Sequence, residues 1–280
     1  VLRRALLALA VLTCLGGAAR AGDLPRIYAH RGASGEAPGN SLLAFRLARE
    51  EGADGVELDV RRTRDGHIVV FHDRDATLPS GKRARISRLT LAELQQIDLG
   101  GGQRIPTLSQ VFDVIGPDLL VNIEIKAEGL RTRGLEKEVV RIVRARGASR
   151  RVVFSSFNPF SVRRLARYAP DIQRGILVVP GRRGALLRRV AGGGANAIHP
   201  DQRMVTAQDV SHWREHGYRE VNTWTVNDPA RIRKMAILGV NGIITDFPAV
   251  ARLALRGIGR TRPPPARAAR AARGARRASK

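Results

Sequence analysis

Strand-like runs alternate with helix-like runs eight times along this chain, from Ile27 to the helix opened by Pro248. The first strand, Ile27 to Ala29, ends at His30, and Asn40 or Ser41 caps a helix running to about Glu51. Later strands read as Gly55 to Val60, Leu119 to Ile125, Arg151 to Ser155, Ile176 to Val179, Ala195 to His199, Glu220 to Thr225 and Gly242 to Thr245. Helices are expected at about Leu135 to Arg146, near Gly184 to Ala191, at about Ala207 to His216, and after Asn158-Pro159, Asp228-Pro229 and Pro248. Thr90-x-x-Glu93 and Thr107-x-x-Gln110 are capping boxes that open two short helices. One extra arm, Ile68 to Phe71, returns along the second strand after a turn at Asp65-Gly66 and sets His72 opposite Asp59 to within a residue or two. The basic stretch Arg74 to Arg88 reads as irregular. This alternation predicts an α/β protein closed into a (β/α)8 TIM barrel. A doubly wound open sheet is the rival, and no Gly-x-Gly-x-x-Gly follows the first strand to support it.

The two ends differ from the middle. Residues 1–21 read as a signal peptide: Arg3 and Arg4, an apolar run from Ala5 to Leu15, then the small-x-small site Ala19-Arg20-Ala21. Residues 257–280 read as a disordered basic tail of Arg, Ala, Pro and Gly, with Pro263 to Pro265 in its middle. Between them, 22–256 reads as one barrel domain. The net charge is +24, and nine basic residues from Arg256 to Lys280 carry much of it. The tail is expected to be a solvated segment or an electrostatic tether to an anionic membrane or wall surface. It has no aromatic residue, so specific nucleic-acid binding by base stacking is not expected. Cys14 is the only cysteine and lies in the leader, which excludes disulfides and thiol chemistry from the mature protein. The leader implies export, to a periplasm or the medium.

In such a barrel the reactive groups belong at the carboxyl ends of strands. His30, Asp59, Glu124, Trp224 and Asp246 all lie there. Glu57 and Asp59 are two apart on a strand and share a face. With Glu124 they form a candidate metal site, since three carboxylates in one barrel mouth repel one another unless a cation joins them. Carboxylate oxygens without thiols suit a hard divalent cation, Mg2+ or Ca2+. His30 and His72 are the candidate acid–base pair. Arg31 and Lys126 face the same mouth as fixed cations for a phosphate, and Phe157 and Trp224 make an apolar wall. No serine nucleophile elbow and no P-loop is present.

The motifs His30-Arg31-Gly32, Ala37-Pro38-Gly39-Asn40-Ser41, Glu57-Leu58-Asp59, Val70-Phe71-His72-Asp73, Glu124-Ile125-Lys126, Ser156-Phe157, Trp224-Thr225-Val226-Asn227 and Thr245-Asp246 follow one another over roughly residues 26 to 255. In that order and spacing the chain resembles the glycerophosphodiester phosphodiesterase family. The resemblance implies a (β/α)8 barrel that hydrolyses glycerophosphodiesters to sn-glycerol 3-phosphate and an alcohol with a divalent cation. It implies Glu57, Asp59 and Glu124 as metal ligands, His30 and His72 as acid and base, and Arg31 and Lys126 as phosphate contacts. One position departs: the family commonly has Glu where this chain has Gly39, and Glu36 is the nearby acid that could orient Arg31 in its place. Two alternatives accompany this reading. One is a barrel enzyme cleaving lysophospholipids or phosphoinositides at a membrane. The other is a catalytically weak polyanion-binding barrel.

Overall fold

The computed structural model describes residues 24–258 apart from 128, 131, 182–184, 187 and 190–191. The expected signal peptide, the basic tail from residue 259 on, and half of the helix expected near 184–191 lie outside the described residues. Eleven described strands are β1 Arg26–His30, β2 Gly55–Arg62, β3 Ile68–Val70, β4 Asp75–Thr77, β5 Arg83–Arg85, β6 Leu120–Ile125, β7 Val152–Ser156, β8 Gln173–Val178, β9 Ala197–Pro200, β10 Glu220–Thr223 and β11 Gly242–Thr245. Eight of them run parallel in the order β1-β11-β10-β9-β8-β7-β6-β2, and β1 pairs with β2 to close the ring. The chain is therefore a (β/α)8 barrel. The described helices are α1 Leu42–Glu50, α2 Leu91–Leu94, α3 Leu108–Ile115, α4 Leu135–Ala145, α5 Pro159–Tyr168, α6 Ala207–Glu215, α7 Pro229–Ile237 and α8 Pro248–Ala254. None is long and apolar enough to cross a membrane.

Local chemistry sets the helix starts. Thr90 and Thr107 each accept from the backbone N–H three residues on, and Glu93 and Gln110 reach back to the cap N–H. Ser41 is the cap of α1, its Oγ accepting from Ala44 N–H at 3.1 Å. Asn40 is thereby released for another task.

Three departures from the expected elements have physical causes. The stretch after His72 forms the hairpin β4–β5, whose Ala76 covers a small cluster with Val69, Ile86, Leu89 and Leu94. Three-residue strands among arginines carry no alternation to read. β8 begins at Gln173, before any apolar run, because the buried Arg174 guanidinium donates to the carbonyls of Ala169, Pro170, Ile172 and Gly194. The β2–β3 register pairs Val60 with Val70, and Phe71 N–H donates to Asp59 O at 2.9 Å. Phe71, not His72, therefore lies opposite Asp59.

Apolar clusters fill the space between barrel and helices, around Phe45, Leu58, Val121 and Phe154 on one side and Ile27, Ile198, Trp213 and Ile243 on the other. The barrel interior is more polar. Tyr28, His199 and Asn222 are buried there beside Gly55, Gly175 and Gly242. Burial pushes the His199 imidazole down to about 3, so it stays neutral. A Cβ on Gly175 would lie 2.5 Å from His199 Nε2. Gly175→Ala is therefore expected to cost about 1–3 kcal/mol by overpacking, read as a lower Tm; an unchanged Tm would show that the ring has room to shift.

Candidate functional site

The mouth at the carboxyl ends of the parallel strands is built from both ends of the barrel sequence. At the end of β1 the chain turns through Arg31, at φ 54°, and Gly32, at φ 80°. A Cβ on Gly32 would meet the Ala44 backbone at 2.5 Å, so glycine is required where this turn crosses α1. The turn holds the Arg31 N–H on Glu57 Oε2 at 3.1 Å and brings Arg31 Nε to 3.3 Å from Asp59 Oδ2.

β2 and β6 pair in register with Glu57 beside Asn122 and Asp59 beside Glu124. Glu57, Asp59 and Glu124 are all buried, and one carboxylate oxygen from each lies within 4.8 Å of the others. Lys126 Nζ sits 2.8 Å from Glu124 Oε1 and 3.2 Å from Asp59 Oδ1. Asn40 Nδ2 donates to Asp59 Oδ2 at 2.9 Å. This released cap residue is a site residue that sequence reasoning read only as a helix signal.

The electrostatics show what the trio lacks. Burial, then the charges of Asp59 and Glu124, hold the Glu57 carboxyl well above its ordinary value. Burial and Asp59 push Glu124 up to about 7. Burial also opposes ionisation of Asp59, but Lys126 and Arg31 outweigh it and hold Asp59 below its ordinary value. Two cations thus satisfy one carboxylate and leave two poorly compensated. Three converging buried carboxylates with this deficit fit a hard divalent cation.

A pH prediction follows. The folded carboxyls of Glu57 and Glu124 titrate above the unfolded value of 4.5, so folding favours their protonated forms. In chelator these two carboxyls are expected to lower Tm as pH rises from about 5 to 7, a contribution read as the difference between the wild-type and Glu57→Gln profiles. Groups held low act with the opposite sign: the His199 and His72 imidazoles below about their ordinary 6.5, and Asp59 and Asp246 only below their ordinary 3.8. A cation that binds the ionised trio reverses that contribution, and a Glu57→Gln profile parallel to wild type in chelator would contradict the deficit.

Each histidine is backed by a carboxylate. His30 Nδ1 lies 2.6 Å from Asp246 Oδ1, and its Nε2 points into the trio, 3.9 Å from Glu57 Oε2. Asp246 also accepts from Ser34 Oγ at 2.8 Å and Asn227 Nδ2 at 2.5 Å. Burial acts against ionisation of Asp246, but these hydrogen bonds hold its carboxyl far below the usual range. His72 Nδ1 lies 2.7 Å from Asp73 Oδ1, and its backbone carbonyl is gripped by Arg61 at 2.8 and 3.1 Å. Burial pushes the His72 imidazole down, while the Asp59 charge and the Asp73 hydrogen bond favour its protonated form.

Phe157 and Trp224 meet edge to face with centroids 5.5 Å apart, and Trp224 Nε1 is anchored on His199 O at 2.8 Å. Together with Leu177 and Ile244 they form one wall of a cavity of about 120 Å3, whose other wall holds His30, Arg31, Glu57, His72, Asn122, Glu124, Lys126 and Ser155. A larger cavity, about 440 Å3, lies by the Asp65-Gly66 turn and α4 and contains none of these groups.

Glu36 does not reach Arg31. Its carboxyl lies beside that of Glu51 and raises it, and Arg31 Nε pairs with Asp59. A Cβ at Gly39 would sit 3.3 Å from Arg31 Cβ, so that position does border the arginine.

A family model described as the glycerophosphoryl diester phosphodiesterase family matches residues 30–250. A glycerophosphodiester phosphodiesterase of Caldanaerobacter subterraneus subsp. tengcongensis is 35% identical over 235 residues, covering 79% of this chain and 94% of that protein. One from Bacillus altitudinis is 32% identical over 239 residues, covering 80% and 96%. Among solved structures, an Oleispira antarctica phosphodiesterase in complex with the product sn-glycerol-3-phosphate is similar at TM-score 0.69 and 30% identity, over 83% of this chain and 97% of that one. A glycerophosphodiester phosphodiesterase from Thermotoga maritima is similar at TM-score 0.67 and 30% identity, over 84% and 99%.

Proposed function

The chain belongs to the glycerophosphoryl diester phosphodiesterase family, and we propose that it hydrolyses glycerophosphodiesters to sn-glycerol 3-phosphate and an alcohol. The observation that carries this is the convergence of Glu57, Asp59 and Glu124 within 4.8 Å, beside two carboxylate-backed histidines. The trio would hold Mg2+ or Ca2+, which when bound neutralises charge on the phosphoryl oxygens and lowers the pKa of an oxygen it binds.

The protein groups then have separate tasks. Arg31 and Lys126 hold the phosphate, their charges fixed by Asp59 and Glu124. His30 is the base: with Nδ1–H donated to Asp246, its Nε2 takes the proton of the attacking oxygen, and Asp246 stabilises the imidazolium that results. His72 is the acid. It is the more exposed of the two, 39% against 21% at the side chain, as suits a group that protonates an alcohol leaving toward solvent. Phe157 and Trp224 cover the carbon face of the substrate and reduce water access.

The reading is tested by glycerol 3-phosphate release from glycerophosphocholine, assayed with Mg2+, with Ca2+ and with chelator. Cation-dependent release is expected; undiminished release in chelator would remove the trio from the chemistry. Lysophosphatidylcholine in the same assay tests cleavage of acylated substrates. Export to the periplasm or medium, and tethering of the basic tail to an anionic surface, are proposed from the end sequences alone. Fractionation, and salt-sensitive binding to anionic vesicles, check them.

A further inference from the structure

Two buried polar side chains in the cavity are not used by this mechanism. Asn122 is the inward-facing residue two before Glu124 on β6, one step deeper in the barrel and in register with Glu57. Ser155 on β7 is in register with Glu124. Both are at least 98% buried and both line the cavity. Asn122 Oδ1 and Ser155 Oγ have no hydrogen-bond partner among the described residues. Neighbouring cavity residues Leu177 and Ile244 are apolar and supply none.

Buried polar atoms are almost always hydrogen-bonded, and leaving them unmatched is costly. An amide and a hydroxyl together offer both donor and acceptor capacity, which is what an alcohol O–H needs. Both face the cavity below the level of Lys126, so whatever they bind lies on the far side of the phosphate from solvent. We infer that Asn122 and Ser155 form a subsite for the terminal hydroxyl of the glycerol moiety, the one farthest from phosphorus, and that they make the enzyme select substrates in which this oxygen is free.

This subsite rests on the diesterase reading and sharpens it. An acyl chain on that oxygen would have to pass Asn122 and Ser155, both at least 98% buried, in a cavity of about 120 Å3. The inference therefore sets the enzyme against 1-acyl lysophospholipids and in favour of deacylated diesters.

The test compares glycerophosphocholine with 2-hydroxypropyl phosphocholine, which lacks only the terminal hydroxyl. A site built to bind an OH rejects the analogue without it strongly, and wild type is expected to prefer glycerophosphocholine by about 100-fold or more in kcat/KM. In Ser155→Ala and Asn122→Ala the preference is expected to shrink to about 10-fold or less, through loss on glycerophosphocholine. Titration calorimetry of sn-glycerol 3-phosphate against 2-hydroxypropyl phosphate is expected to show the same shrinking ratio. Ser155→Ala removes a single unpartnered oxygen, so it is expected to fold even where Asn122→Ala does not. An active wild type that treats the two diesters alike, or variants that slow both equally, overturns the subsite and leaves the diesterase reading standing. A wild type inactive on both diesters with cation present overturns the diesterase reading itself.

Discussion

Glu57→Gln is expected to lower kcat/KM on glycerophosphocholine by about 1,000-fold or more while raising the Tm of the cation-free protein. Metal-assisted charge stabilisation supplies several kcal/mol to a transition state, and each 1.36 kcal/mol is a factor of ten. Glutamine keeps the shape of the side chain and an Oε that can accept the Arg31 N–H now held at 3.1 Å. It removes a buried charge that the folded protein disfavours, since burial and Asp59 already hold that carboxyl well above its ordinary value. Activity and stability therefore move in opposite directions. Wild type is expected to gain Tm on addition of Mg2+ or Ca2+, because a ligand that binds only the folded state stabilises it. The variant is expected to lose most of that gain. Retained activity, or an unchanged cation response, would take Glu57 out of the metal site.

His30→Ala is expected to cost about 100- to 10,000-fold in kcat, the range of a lost acid–base group. Asp246→Asn is expected to approach it. An asparagine amide can donate to Nδ1, which shifts the proton to Nε2 and removes the lone pair that faces the trio. His72→Ala separates from both. With a p-nitrophenyl diester the leaving group needs no proton, so His72→Ala is expected to recover most of its activity and His30→Ala is not. Equal impairment of His72→Ala on both substrates would deny it the acid role.

Groups near one another in the chain were readable in advance. Glu57 and Asp59 share a face because strands alternate, and the capping boxes at Thr90 and Thr107 formed as their spacing implies. Parallel closure also followed from alternation, since strands that each need a crossover helix share one direction. What could not be read depends on long-range placement. Asp246 lies 216 residues from His30, and no local pattern announces their pairing. Asn40 looked like one of two helix caps; only the φ of 64° and its reach to Asp59 reveal its other task. The arm register is legible only to within a residue or two, because a turn and two apolar runs do not fix which residues pair. Asn122 had a usable signal: two residues before Glu124 on a strand, it had to face the same interior.

The His30–Asp246 contact joins the first strand of the ring to the residue that follows the last. A chain still lacking its final segment would hold all three acids of the candidate metal site yet no partner to orient His30. Turnover thus becomes a reporter of completed ring closure. During refolding, regained catalysis is expected to track the docking of β11 against β1, rather than the earlier gain of helix signal.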